Sequence, residues 1–192
     1  MAEPAGGKSN EYRVIIQFDE IMEWSPDHPW LYTIRAIVTP KKGKVEVFDP
    51  GPGASSSYSD TRGDTDYFDS HFGMRSFTMD VSSEPKGRLY LNSEPVILRG
   101  SNDQSAFFQD VIREDTEQLI EDILIFKLTN QNFIRLCQHP RQPEVYDMFD
   151  RLGIMVQTDL PIFGEVRRPL IQEEIKQAME MEMLVRSHPS NI

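Results

Sequence analysis

One cysteine, Cys137, stands in a chain of 192 residues, which excludes an internal disulfide and any cysteine-based zinc cluster. A lone thiol is most often a small, buried apolar group. Apolar runs are short: none approaches the roughly 18 residues of a membrane helix, and the opening "MAEPAGGKSNEY" lacks the charged start and apolar stretch of a signal peptide. Basic residues are few, 20 Lys and Arg against 31 Asp and Glu for a formal net charge of -11, and no basic cluster stands out. A phosphate backbone is therefore not the expected partner, because nucleic-acid binding leans on Lys and Arg to neutralise phosphates. A neutral or cationic ligand fits better. His28, His71, His139 and His188 are dispersed without HxH or HExxH spacing. No Gly-rich loop opens a helix and no G-x-S-x-G turn occurs, so neither a metal nor a cofactor is expected.

What is present is ordinary globular material, 39% hydrophobic and 27% charged, in a length that suits one domain or two of modest size. Residues 1–10 read as a disordered tail. From Glu11 to about residue 82 the pattern is β-structure: "EYRVIIQF", "LYTIRAIV" and "KVEVF" are rich in β-branched and aromatic residues and are parted by Pro, Gly and Asp. The stretch "DPGPGASSSYSDTRGDTDYFD" is crowded with Gly, Pro, Ser and Asp and reads as a surface loop. "SHFGMRSFTMDV" then resumes an extended pattern. These strands suit an antiparallel sandwich, which in full needs about seven strands over about 100 residues. The first ones are expected to be missing here.

From about Arg88 the period changes. "RLYLNSEPV" reads as a hairpin, followed by a buried strand over Val96 to Leu98. In "DTEQLIEDILIFKLTN", Asp115 with Gln118 forms a capping-box signature, and Leu119, Ile123 and Phe126 recur at helical spacing. Asn130 closes that helix. "NFIRLCQ" is a second strand, and "QPEVYDMFDRLG" a helix that starts at Pro143, stops at Gly153 and turns Val145, Met148, Phe149 and Leu152 inward. "IMVQTDL" and "RRPLIQEEIKQAMEMEMLVRS" add a third strand and a third helix, and Ile192 would open a fourth strand. Strand and helix alternating with short connections make a parallel βα array. A (β/α)₈ barrel takes about 250 residues, so three such units over residues 83–192 are expected to be its first part. The expected fold class is thus an α+β multidomain fragment: a partial immunoglobulin-like sandwich over 11–82, then the start of a TIM barrel.

Barrel chemistry sits at the carboxyl ends of strands, and here these ends read "RGSNDQS", "RLCQHPRQ" and "QTDLP". Asp159 either bonds its own turn or faces a pocket. His139 either packs in its loop or lines the site. Arg135, among apolar neighbours, needs a partner, so an ion pair with Asp159 competes with contact to a ligand. Met179, Met181 and Met183 read as core and surface filler.

Several stretches resemble the family-2 glycoside hydrolases, which include β-galactosidases, β-glucuronidases and β-mannosidases. "WSPDHPWLYTIRAIV" is similar to the signature of their immunoglobulin-like domain, and "FGMRSF" to the Phe-Gly-x-Arg motif that leads towards the barrel. "LYLNSEPVILRGSN", "NFIRLCQHPRQPEVYDMFDRLGIMVQTDLP" and "VRSHPSNI" resemble the first barrel strand, strands two and three, and the approach to strand four, in the family's order. The resemblance implies a retaining β-glycosidase acting on carbohydrate, with no cofactor. Its general acid/base is the Glu of an Asn-Glu pair ending the fourth strand, and its nucleophilic Glu comes later still. Both lie past the residues present, so the chain is expected to be an inactive internal fragment with no catalytic residue of its own. By the same resemblance Asn102, Arg135, Asp159 and His188 line or support the sugar subsite, together with Gln138 and His139. Gln104 and Ser105 replace the usual His-Glu pair, and "CQHP" puts Gln138 at the usual His. These departures resemble a sub-branch with a different sugar preference and weaken the expectation of galactose or glucuronate specificity. A non-catalytic carbohydrate-binding or interaction module is the alternative.

Overall fold

A computed structural model describes residues 3–4, 12–38, 66–164 and 167–192. The chain divides into two compact units, Met1–Met22 with Tyr32–Phe72, and Glu23–Leu31 with Gly73–Ile192.

In the first unit, β1 (Glu3–Pro4) pairs antiparallel with β2 (Tyr12–Arg13), and β3 (Tyr32–Val38) with β4 (Asp66–Phe72). Tyr32 stacks on Phe72 across that ladder with ring centroids 5.5 Å apart, and Phe18 meets Tyr32 edge-on at 5.1 Å. Arg35 grips Asp69, its directly opposite residue, through two 2.7 Å hydrogen bonds. Two expectations are corrected here. The strand expected over "EYRVIIQF" is reduced to Tyr12–Arg13, and Ile15 stands 78% exposed; β-branched composition makes a strand only where a neighbour accepts the ladder. The surface loop ends earlier than expected, because Asp66 to Asp69 pair with Val38 to Arg35. "KVEVF", most of that loop and all of the 1–10 tail except Glu3–Pro4 lie outside the described residues.

In the second unit, β5 (Phe77–Asp80), β6 (Arg88–Leu91) and β7 (Glu94–Val96) form an antiparallel sheet. Its hairpin turns on Asn92 and Ser93, both at positive φ (52° and 67°), as two-residue hairpin turns of the primed type require. Next come β8 (Gly100–Asp103), α1 (Ala106–Ile112), α2 (Thr116–Leu128), β9 (Phe133–Leu136), α3 (Pro143–Leu152), β10 (Met155–Thr158) and α4 (Ile171–Val185). β8, β9 and β10 are parallel, with β9 in the centre. The first of these strands is not Val96 to Leu98. Val96 is used by the hairpin opposite Leu89, Ile97 is 74% exposed, and pairing with β9 begins at Gly100. A Cβ on Gly100 would collide with the Phe133 carbonyl, so a glycine lets the two backbones meet there.

Alternation along the strands separates two cores. Ile134, Leu136 and Val156 pack with Phe107, Leu119, Ile123, Val145, Tyr146 and Phe149 of the helices. Phe133 and Met155, one residue away, join Trp24, Leu91 and Ile192 in another cluster. Helix boundaries follow local signals. Asp115 caps α2 by accepting from the Gln118 amide, although the Gln118 side chain turns to Asp122, so only half of the capping box forms. Asn130 follows α2 at φ 60°, and Gly153 ends α3 at φ 72°. Beyond α4, the Val156 amide donates to the Ser190 carbonyl at 2.7 Å and the Ile192 amide to the Val156 carbonyl at 2.9 Å. The 190–192 stretch thus runs parallel to β10 on its free edge.

Gly153 makes a testable point. A Cβ there would meet the Pro26 carbonyl, in a left-handed conformation that already costs an L-residue about 1–2 kcal/mol. Gly153→Ala should lower the urea midpoint by the equivalent of about 2 kcal/mol or more, whereas Gly87→Ala, where a Cβ meets nothing, should lose only the conformational part. Equal losses at both positions would contradict the collision.

Candidate functional site

The parallel register lines up Asn102, Arg135 and Gln157 as neighbours on adjacent strands near their carboxyl ends. Since Ile134, Leu136 and Val156 point to the helices, Arg135 and Gln157 project from the opposite face of the sheet. Arg135 clasps Asp159 through both oxygens, Nε to Oδ1 at 3.1 Å and Nη2 to Oδ2 at 2.6 Å. Gln157 donates to Oδ1 at 3.2 Å and the Gln138 amide to Oδ2 at 3.4 Å. The ion pair expected between Arg135 and Asp159 is formed. The Arg135 hydrogen bond pulls the Asp159 carboxyl below its ordinary range, against the effect of burial. Asp159 is therefore a fixed anion and hydrogen-bond acceptor, and a poor proton donor near neutral pH. With the Arg135 side chain 44% exposed, guanidinium edge, carboxylate and two amide side chains share one open surface. Such a mixed donor and acceptor set is suited to hydroxyl groups. Gln138 borders it, exposed and at φ 67°.

A second polar group lies on the helix side. Arg141 and Asp103 form a buried ion pair, with Nη2 to Oδ2 at 2.7 Å and Nε to Oδ2 at 3.0 Å. Asp103 Oδ1 meanwhile accepts from the Ser105 and Ala106 amides and so starts α1. His139 passes its carbonyl to Arg141 at 2.7 Å. Burial, and then the nearby Arg141 charge, hold the His139 ring below the usual histidine range, so it is neutral near pH 7.

His188 stands apart from the Asn102, Arg135, Gln138 and Asp159 group. Its Nδ1 meets Asp150 Oδ2 at 2.6 Å, and its ring lies 5.2 Å from that of Tyr146. Tyr146 and Thr158 share a hydroxyl hydrogen bond, and Thr158 donates to Asn191 Oδ1 at 2.7 Å. Hydrogen-bonded polar side chains thus tie α3, β10 and the 190–192 stretch together, with His188 stacked beside them. Burial works against the imidazolium, but the hydrogen bond and charge of Asp150 and the charge of Asp147 outweigh it, and the pKa of His188 is raised. Among the described residues, Asp147, Asp150 and His188 bring one possible metal-ligand atom each within 4.8 Å. A cation would have to displace the proton between His188 and Asp150.

Sequence reasoning missed Asp103, Arg141, Asp150 and Gln157. Gln157 had a signal, since Met155, Gln157 and Asp159 alternate onto one face. Asp150 had none, being one acid on the polar side of an amphipathic helix. Among the described residues no helix is long and apolar enough to cross a membrane.

The family profile described as "Glycosyl hydrolases family 2, TIM barrel domain" matches residues 84–185. A β-galactosidase of Thermoanaerobacter pseudethanolicus is 24% identical over 180 residues, covering 91% of this chain and 20% of that protein. A β-galactosidase of Yersinia pestis is 25% identical over 165 residues, covering 86% of this chain and 13% of that one. Of solved structures, apo β-glucuronidase 3 of Bacteroides uniformis superposes with a TM-score of 0.64 at 24% identity, over 89% of this chain and 19% of the other. That likeness is one of fold. The chain spans a fifth or less of the length of these three proteins.

Two measurements follow from the geometry. Removing one partner of a fully buried pair leaves a buried charge, so Arg141→Met should destabilise by about 3–5 kcal/mol, while Arg135→Met should leave the unfolding midpoint close to wild type. Urea unfolding of both variants decides it, and equal losses would refute the distinction between the two faces. For His188, the folded pKa lies above the ordinary 6.5, so its contribution is complete below about pH 6.5 and is lost as pH rises through the folded value. The stability gap between wild type and His188→Gln should be widest near pH 5.5 and shrink by about pH 8.5; a gap that does not change with pH would count against the charged pair.

Proposed function

The chain belongs to the family-2 glycosyl hydrolases, and from that membership we propose that it is a segment of a longer retaining β-glycosidase and contributes part of the glycone-binding face. In this reading residues 11–82 belong to an immunoglobulin-like sandwich, with Glu3–Pro4 paired to its Tyr12–Arg13 rather than lying in a loose tail, and 83–192 supply the first three βα units of the catalytic barrel. The observation that carries it is the aligned set Asn102, Arg135, Gln157 and Asp159 at the carboxyl ends of parallel strands, where barrel enzymes place substrate. Gln138 borders this set through its amide on Asp159, and His139 follows it in the loop held by Arg141. His188 acts from behind through Asp150.

Hydrolysis with retention needs two carboxyl groups about 5–5.5 Å apart, one to protonate the leaving oxygen and one to attack the anomeric carbon. Asp159 is held as an anion by Arg135 and serves binding better than proton donation. Asp103 and Asp150 are committed to Arg141 and His188. By the family resemblance the acid/base and the nucleophile are assigned to later strands of the longer protein, and the chain alone is expected to be inactive.

Purified chain and a form extended through the rest of the barrel should be assayed side by side on a panel of nitrophenyl β-glycosides. Turnover is expected only in the extended form, and Arg135→Met in that form should raise KM or lower kcat by about tenfold or more. Turnover by the short chain would overturn the assignment of the carboxylates. An extended form that binds sugar without turnover would favour a binding module.

A further inference from the structure

The stretch from Gly73 to Phe77, "GMRSF", leads into the barrel half, and each residue in it has a fixed contact within the second unit. A Cβ on Gly73 would sit 2.6 Å from Pro189 Cγ and 3.1 Å from Trp24 Cβ, so the glycine lets Pro189 and Trp24 close over it. The Met74 carbonyl accepts from the Trp24 amide at 2.7 Å. Ser76 exchanges two hydrogen bonds with Asn92, and Phe77 packs in the cluster that holds Met155 and Ile192. The arginine is the unusual member. Its hydrogen bonds among the described residues go to two main-chain carbonyls, Nε to that of Pro189 at 2.9 Å and Nη2 to that of Asn191.

Residues 188–191 make a turn, closed by the Asn191 amide donating to the His188 carbonyl at 3.2 Å. The Ser190 carbonyl is taken by Val156 of β10, while the planar guanidinium spans those of residues 189 and 191. On the β10 side Asp150 accepts from the Ser190 amide at 3.0 Å, and Thr158 reaches the Asn191 side chain. The segment is thus gripped from two sides, and Arg75 is the grip on the side away from β10.

We propose that Arg75 is a positioning residue that sets the register of the fourth parallel strand, by holding the Pro189 and Asn191 carbonyls while Ser190 and Ile192 pair with β10. It assigns a task to the Phe-Gly-x-Arg motif, which otherwise only links two stretches of sequence. Lysine would keep the charge and reach one carbonyl, but it lacks the fork that spans two. The consequence for catalysis rests on the family reading: if the acid/base carboxylate ends this strand, Arg75 fixes its height above the sheet floor.

Amide hydrogen exchange on this chain tests the clamp without any turnover, so its failure and that of the glycosidase reading are separate results. Wild type, Arg75→Met, Arg75→Lys and the control Arg99→Met, whose guanidinium also bonds a main-chain carbonyl, would be compared at four amides. Val156 and Ile192 report pairing between β10 and the fourth strand, while Met155 and Cys137 report bonds on the β8 and β9 side. Arg75→Met should lose protection by about tenfold or more at the first two and stay within about threefold at the others. Arg75→Lys should fall between, and Arg99→Met should match wild type at Val156 and Ile192. Retained protection at Val156 and Ile192 in Arg75→Met would overturn the proposal, as would a uniform loss at all four amides. If the Met variant does not fold, the Lys variant is held to the same criterion: selective loss supports the clamp, and unchanged or uniform protection removes it.

Discussion

A carboxylate buried at the carboxyl edge of a parallel sheet has to satisfy every lone pair, and Asp103 does so in a way that organises its surroundings. One oxygen takes the Ser105 and Ala106 amides and thereby starts α1, while the other takes Arg141 from the loop between β9 and α3. Its main-chain carbonyl accepts from Cys137 at 2.9 Å and from Arg141 at 3.0 Å. The start of α1 and the distant loop that carries Cys137 and Arg141 are thereby bound to the end of β8. The pair holds the 137–142 loop together with the Cys137 amide on the Asp103 carbonyl, the Gln138 amide on Asp159 and the Arg141 amide on the Tyr146 hydroxyl. An ion pair this deep gives little net stability against an apolar replacement. Its use here is specificity of arrangement.

The sheet then distributes charge by face. Asp103 is turned to the helix side and closed off by Arg141 and main-chain amides, and Asp150 of α3 is closed off by His188 and the Ser190 amide. Asp159 is on the open side, and its partner Arg135 stays accessible. Strand alternation alone decides this: Ile134 and Leu136 commit β9 to the helical core, which leaves Arg135 between them for the other face. The polar row is a by-product of how the core is built, so a change that slipped β9 by one residue would bury Arg135 and expose Ile134.

Much of this was legible in sequence wherever a local signal coincided with a tertiary one. Asp115, Pro143 and Gly153 mark helix ends and are found at them. Arg135 and Asp159 were set against each other by simple need of a partner, and they pair. Failures came where tertiary context overrode composition. Val96 to Leu98 look like a strand for the parallel sheet, but the hairpin claims Val96, and Gly100 opens the strand because close backbone approach favours a residue without a side chain. "EYRVIIQF" has strand composition and finds pairing only at Tyr12–Arg13. α1 was missed because its start is set by Asp103, two residues before the helix cap, and no periodic run announces so short a segment. His188 was recognised by its neighbours in sequence, while its partner Asp150 lies 38 residues earlier on a helix face that reads as solvent-exposed.

Burial across the helices adds one more constraint. In α3, Val145, Tyr146 and Phe149 are fully covered, since the helix lies against β10 and α2. On α4, Ile175, Met179 and Met183, spaced four residues apart, stand 49–63% exposed, and on α2 Ile125 and Leu128 stand 54% and 85% exposed. Apolar spacing of that kind along one helix face is the mark of a surface meant to meet another helix. In a closed ring of βα units each helix has a neighbour on either side, so the fall in burial from α3 outward supports placing this segment inside such a ring. The same logic applies to the 190–192 stretch. Its inner edge is satisfied by β10, and the Arg75 guanidinium takes the outer carbonyls of residues 189 and 191. A strand added on that side would share those two carbonyls with Arg75, a residue more than a hundred positions earlier in the chain.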